Sequence, residues 1–457
     1  MIVRKYKILL GFAVLIGFTH LGYQTSGAET LDQALMEAYK NNPNLVAQRS
    51  RLRAVDEQVS QAIAKWRPTV TLSGLYGSKK IDRKNSAGSK IDSTNQPQSL
   101  GIDISQTIFR GYRTQAEIKR AENRVMATRA ELIITEQQIL SDVIESYLSV
   151  LRDNAVLELR ENNVEVISQQ LNATKDRFEV GDLTRTDFAQ AESRLARAVA
   201  DRASAKADLL KSRAAYLNVV GHEPQKLVQP KLPKNMPHTR QEIIDSSIIN
   251  NPRVISALFA EKAARSNIDL IKGKLLPTVK IDASISRKED ITGSGITDTA
   301  SELTARFTVP LYQSGAIYSG IREAKQLASQ RVSEVALRKR DAAKIAREAW
   351  ENYRVAKARI KSFKSAVRAQ EVAFEGVQQE AKVGSRTILD VLDAEQELMD
   401  TLVNLVSAKR NLIVSGYSLL SATGQLTANG LRLNVDIYDP SQNLRFVRDK
   451  YYGSNLE

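Results

Sequence analysis

The chain has no cysteine. That excludes disulfides as a source of stability and excludes a lipid carried on an N-terminal cysteine. Histidine is almost as scarce: His20 lies near the N-terminus, and His222 and His238 sit in a proline-rich stretch. No histidine–carboxylate cluster stands at ligand spacing, and no glycine-rich phosphate loop occurs. The residues therefore predict no enzyme, no cofactor and no metal. Beyond residue 28 no apolar run is long enough for a transmembrane helix. The net charge is +14, three of it from Arg4, Lys5 and Lys7. The remaining cations are spread among acids along the chain, which describes a solvated helical surface and argues against nucleic acid as a partner.

What is present begins with an export signal. Arg4, Lys5 and Lys7 form a charged start, Ile8 to Phe18 an apolar segment, and Ser26-Gly27-Ala28 a small-residue cleavage site. Residues 1–28 read as a signal peptide cleaved after Ala28. With no membrane helix in the mature chain, any spanning structure must be β.

The rest of the chain is a tandem repeat. Asn41-Asn42-Pro43 recurs as Asn250-Asn251-Pro252 and Pro68 as Pro277, both 209 residues on. Gly181 recurs as Gly384 and Gly221 as Gly424, both 203 residues on. The first repeat spans 29–221, a proline-rich extended connector 222–240, the second repeat 241–424, and a polar tail 425–457 ending in Tyr451-Tyr452.

Each repeat opens with a helical pattern, roughly Leu31–Trp66 and Gln241–Leu276, that a proline ends. The period then changes to two. Leu100, Ile102 and Ile104 alternate with polar residues, as do Val279, Ile281, Ala283 and Ile285, and Leu303, Ala305, Phe307 and Val309. A less regular strand follows Pro68, with Val70, Leu72 and Tyr76 as its apolar set. Polar tips, Gly77 to Gln98 and Arg287 to Ser301, separate the strands of each pair. The four strands carry one apolar face each and have the length of transmembrane β-strands. No second sheet exists to cover that face, but lipid can. Four strands cannot close a barrel, so several copies must share one.

Long glycine- and proline-free helices follow. Tyr112 to Val180 would extend roughly 100 Å if continuous, and Ile321 to Glu375 is its counterpart. The first carries two apolar stripes: Leu140, Val143, Tyr147 and Val150 beside Ile144, Leu148, Leu151 and Ala155. In the last helix Val391, Leu398, Leu405 and Leu412 recur every seven residues, and so do Leu392, Met399, Val406 and Ile413. Two seams per helix require a partner on each side, as in a wall of helices closing into a tube. The predicted fold is mostly α with membrane β: a barrel continued by a helical coiled-coil tube.

Between the long helices lie two near-copies, VGDLTRTDFAQAE (Val180 to Glu192) and VGSRTILDVLDAE (Val383 to Glu395). Gly181 and Gly384 end one helix. Thr184 with Asp187, and Thr387 with Asp390, have capping-box spacing for the next. Asp187 and Asp390 can thus serve the helix start, a gate, or both. Asp393 has no such role; its counterpart is Gln190, and it shares a helix face with Asp390. Two carboxylates about 6 Å apart repel by roughly 0.7 kcal/mol in water and 3 kcal/mol at an effective dielectric of 20. Arg386, a cation at a helix start, stands against the helix dipole, which points to a specific acidic partner.

With these residues in place the chain resembles the TolC family of outer-membrane export ducts over essentially its whole mature length. The shared features are LDQALMEAYKNNP near the start, WRP before the first strand, FRG after the second, the two VG turns, and the C-terminal YDPSQNLRFVRDKYYG. The resemblance implies a homotrimer with a twelve-stranded barrel in outer-membrane lipid and a helical tunnel across the periplasm. Its implied partners are a periplasmic adaptor and an inner-membrane pump or ABC secretion transporter, serving efflux or type I secretion. The duct itself catalyses nothing. The family's closing arginine falls on Arg386, its polar partners on Thr186 and Asp187, and its constriction carboxylates on Asp390 and Asp393. The turns at Gly181, Thr184, Gly384 and Thr387 become the adaptor-docking ends. A family tyrosine is replaced by Ala381, which removes one closing hydrogen bond. The lack of cysteine departs from lipid-anchored branches and favours the multidrug and type I secretion branch. A reading from another class, a trimeric coiled-coil structural or adhesive surface protein, predicts no pore. An exported nucleic-acid-binding rod predicts salt-dependent DNA binding.

Overall fold

In the computed structural model the described residues are 28–84, 88, 90–291, 295–455. All but the last residue of the predicted signal peptide lies outside them. The first repeat begins with α1 (Leu31–Asn41) and α2 (Pro43–Ile63), and the second with α5 (Arg240–Asn250) and α6 (Pro252–Lys272). The single opening helix expected in each repeat is therefore two. Asn42 and Asn251 are extended at the joints (ψ 122° and 124°) and cap the helices that follow. Each amide oxygen accepts from the N–H two residues on (3.0 and 2.9 Å), and each proline takes the first helical position, where no N–H is needed. The same side chains donate to the Val219 and Ala422 carbonyls, tying each joint to the end of a long helix in its own repeat.

Those long helices are continuous. α3 (Arg113–Glu179) and α7 (Ala316–Lys382) contain 67 residues each, and α4 (Arg185–Val220) and α8 (Ile388–Ala422) run back along them. Rods of roughly 100 Å need lateral support along their length. The largest core provides it near the middle, where Tyr147 and Tyr216 are fully buried among Leu35, Leu140, Ile144 and Leu426. The Tyr147 hydroxyl accepts from the Val228 N–H (3.0 Å) and lies 2.8 Å from the Glu29 carbonyl. Tyr216 bonds the Glu29 carboxylate. In this way Glu29, ahead of α1, and the connector are fastened to one core.

Four strands form one antiparallel sheet in the order β1 (Thr69–Tyr76), β4 (Gln98–Phe109), β5 (Thr278–Glu289), β6 (Thr297–Thr308). β4 and β5 join the two repeats, pairing Ile102 with Ile285 and Ile104 with Ala283. The apolar side chains Val70, Leu72, Leu100, Ile285, Leu303 and Phe307 are all exposed on the single chain, and β1 and β6 are unpaired edges. The first polar tip is not a plain loop: it carries a separate hairpin of β2 (Lys79–Lys84) and β3 (Lys90–Asn95). The second tip is shorter than expected because β5 and β6 stay paired as far as Glu289 and Thr297.

Where sheet meets helices the two repeats touch through glycine. Gly111, at φ 61°, faces Gly273; a Cβ on Gly111 would stand 2.3 Å from the Gly273 carbonyl oxygen. No larger residue fits either position. The tail then packs on the core, carries the short helix α9 (Gln442–Val447) and continues beyond it. Among the described residues no helix is long and apolar enough to cross a membrane.

The candidate site at the helical tip

Both turns between long helices close the same way. Gly181 and Gly384 adopt φ 80° and 78°, a conformation glycine takes without strain. Gly181 N–H donates to Phe178 O (2.9 Å) and Asp182 N–H to Arg177 O (2.9 Å); Gly384 donates to Ala381 O and Ser385 to Glu380 O. Each is a helix end in which two otherwise unpaired carbonyls are satisfied by the two residues after the helix. The next helix starts with the predicted capping box. Thr184 Oγ1 accepts from Asp187 N–H, and Asp187 Oδ2 accepts from Thr184 N–H (3.0 Å); Thr387 and Asp390 repeat this (2.9 Å). Hydrogen bonds from Thr184, side chain first, hold the Asp187 carboxyl below its ordinary range. Those from Thr387, backbone first and with Arg386 nearby, do the same for Asp390.

Beyond that shared frame the tips differ. In the first, Arg177 Nε donates to Asp182 (2.7 Å) and the Phe178 ring stacks on Phe188 at 5.8 Å. In the second, those ring positions are Ala381 and Val391, and the closing ion pair is Glu380 with Arg386 (2.9 Å). The hydrogen bond from Arg386 to Glu380 pushes the guanidinium pKa further up. The acidic partner that the sequence demanded for Arg386 is thus Glu380, in its own hairpin. The structure of one protomer does not bring Arg386 to Thr186 or Asp187.

Asp393 also has a partner that sequence reasoning missed. Arg194, on α4 of the first repeat, donates to its carboxylate. A second inter-repeat link lies deeper, where Arg160 on α3 stands between Asp201 on α4 (3.5 Å) and Asp400 on α8 (3.4 Å). Both tether α8 to the first repeat. On the tip side of the first link Ile388 and Leu392 pack against Ala191, and between the two links Glu395 continues that buried stripe. Burial alone raises the Glu395 carboxyl to about 7. Its signal was legible, a carboxylate standing between Leu392 and Met399 in the heptad seam. Among the described residues no group of three or more His, Cys, Asp or Glu could hold a metal ion. Arg386, just before α8, and Asp390 and Asp393, in its first two turns, place three solvent-accessible charges at the second tip.

The sequence matches the outer membrane efflux protein family over residues 34–222 and 243–425. The outer membrane efflux protein BepC of Brucella suis is 33% identical over 451 residues, covering 98% of this chain and 97% of that protein. The outer membrane protein TolC of Vibrio cholerae is 25% identical, covering 92% of this chain and 95% of its own length. Among solved structures, the CmeC outer membrane channel of Campylobacter jejuni shares the fold at TM-score 0.78 and 15% identity, over 92% of this chain and 89% of that one. The VceC outer membrane protein of Vibrio cholerae does so at 0.74 and 19%, over 86% and 96%. The tandem repeat, the four-strand sheet and the paired long helices thus belong to an exit duct of the outer membrane, and the chain belongs to the outer membrane efflux protein family.

Proposed function

We propose that the duct is a passive homotrimer whose twelve-stranded barrel opens into a periplasmic helical tunnel, and that its gate is the second helical tip. The two unpaired sheet edges and the apolar strand faces support a barrel shared among copies. The seams of α8 support a shared tunnel: Leu392, Met399 and Ile413 are buried within the protomer, while Leu398, Leu405 and Leu412 stay half-exposed on the neighbouring seam. A periplasmic adaptor and an inner-membrane pump or secretion transporter supply the energy, with the turns at Gly181 and Gly384 as docking ends. The names of relatives span both uses: BepC is an efflux protein, and PrtF of Dickeya chrysanthemi is a proteases secretion protein.

The observation that carries the gate is that Arg386 and Asp393 are added by the second repeat to a turn that the first repeat builds without them. In a trimer Asp390 and Asp393 become a ring of six carboxylates, which binds cations and disfavours anions. Replacing both with Ala abolishes block of single-channel conductance by divalent or trivalent cations, a loss of at least about tenfold in blocking affinity, or 1.4 kcal/mol. Unchanged block would remove these carboxylates from the constriction.

A further inference from the structure

The C-terminal tail reaches a place that the duct reading leaves without a role. It runs alongside α2 in register. Tyr438 N–H donates to the Tyr39 hydroxyl (3.2 Å), Asn443 Nδ2 to Asp56 (2.9 Å), Ser60 Oγ to the Val447 carbonyl (2.8 Å), and Arg67 Nη1 to the Lys450 carbonyl (2.7 Å). As the tail advances from 438 to 450, its partners climb from 39 to 67. It stops two residues short of Thr69, the first residue of β1. There the Arg67 guanidinium stacks 3.9 Å from the Tyr451 ring centre.

The end of the tail is fastened, yet its aromatic rings are not covered. Tyr451 is 76% exposed and Tyr452 91%. Burying large rings is strongly favourable, so two adjacent ones held in the open need a surface to meet. They stand at the sheet end where the helices attach. Trp66, Tyr112 and Tyr312, exposed at that same end of β1, β4 and β6, continue the band. Lys65, two residues before Arg67, is exposed, and the half-buried Lys450 ammonium lies 5.0 Å over the exposed Phe446 ring and donates to the Asn455 carbonyl. Amphipathic aromatics with adjacent cations are the chemistry of a phospholipid headgroup layer.

We infer that Tyr451, Tyr452 and Lys450 dock the tail on the phospholipid headgroups of the periplasmic leaflet of the outer membrane. The tail thereby anchors the barrel base at a defined depth in a chain that carries no cysteine for a lipid anchor. The inference rests on reading the four-strand sheet as the barrel wall, because continuity with that wall is what brings the tail to lipid.

The absence of native cysteine allows a clean test on the full mature protein in phospholipid nanodiscs. A spin label is attached through Ser454→Cys, next to the rings, and in separate proteins through Asn429→Cys and Leu72→Cys. Accessibility to oxygen is compared with accessibility to a nickel complex. At 454 the oxygen-to-nickel ratio is expected to exceed that at 429 by at least about threefold in nanodiscs and to fall in detergent. Tyr451→Ser with Tyr452→Ser returns it to the value at 429 while circular dichroism shows the fold intact. Adding phosphatidylglycerol to phosphatidylethanolamine discs raises the ratio, and Lys450→Gln removes that increment. A ratio at 454 equal to that at 429, with Leu72 lipid-exposed, overturns the inference alone. Immobilisation at 454 that is the same in detergent and lipid marks a protein neighbour and also overturns it. Water exposure at both 454 and 72 overturns the barrel reading, and the inference with it.

Discussion

The two helical tips separate what a hairpin needs from what a gate adds. Both stop a 67-residue helix with a left-handed glycine and restart with a Thr–Asp capping box. The first then packs itself, with Phe178 on Phe188 and Arg177 paired to Asp182. The second gives up the rings for Ala381 and Val391. It reverses the order of the ion pair, as Glu380 before Arg386, and places Asp393 where the first has Gln190. The turn of the second tip is thus closed by charge where the first is closed by rings, although its helix start is well packed, with Ile388, Val391 and Leu392 buried. Exposed charge pairs are individually weak and exchange partners readily, whereas stacked rings do not. The proposed gate rests on that exchange of ring contact for charge at the second turn.

The same contrast extends one turn deeper. Glu395 and its counterpart Glu192 occupy matching positions, but Glu395 is buried and Glu192 exposed. Burial raises the Glu395 carboxyl to about 7 from an ordinary 4.5, so the folded protein holds this proton more tightly than the unfolded chain. Its contribution is fully present below pH 4.5 and is lost as pH rises through about 7. Glu395→Gln should therefore stabilise by about 2 kcal/mol at pH 8.5, allowing for solvent screening, and by almost nothing at pH 4. Glu192→Gln should do neither. Thermal unfolding at the two pH values decides it, and a difference that does not grow with pH would contradict the buried placement.

The caps should fail equally. Thr184→Ala and Thr387→Ala each cost about 1 kcal/mol of helix-start stability, read from amide exchange in the first turns of α4 and α8. A much larger loss at Thr387 would mean that the second cap carries gating contacts as well. The smallest effect on stability belongs to Arg194→Ala. Its partly exposed pair with Asp393 is worth less than about 1 kcal/mol. Freeing Asp393 should nonetheless strengthen cation block a few-fold; weaker block would place Asp393 away from the ion path.

Sequence alone carried the turns because their chemistry is local: Gly, Thr and Asp at fixed spacing have one good arrangement. The strands of the sheet were legible from alternation. The β2–β3 hairpin was not, because from Lys79 to Asn95 only Ile81, Ala87 and Ile91 are apolar, too few to show a period. Asn42-Pro43 and Asn251-Pro252 were visible as repeat markers, yet the helix break they cause was overlooked. A proline at the first helical position looks like an interior proline until its capping asparagine is noticed. Arg386 demanded an acid, and Glu380 was close enough in sequence to be found through the turn geometry. Arg194 was not, because only the side-by-side packing of α4 and α8, which start at neighbouring tips, brings it to Asp393, 199 residues away. The path of the tail was equally hidden, since Arg67 and Lys450 meet only across the whole fold.

The central claim, that the second tip holds the duct closed, is tested most directly by resting single-channel conductance in planar bilayers. Arg386→Ala is compared with its first-repeat counterpart, Leu183→Ala. The account predicts several-fold higher resting conductance for Arg386→Ala and the native value for Leu183→Ala. Native conductance for Arg386→Ala, or an equal rise for both, would contradict it.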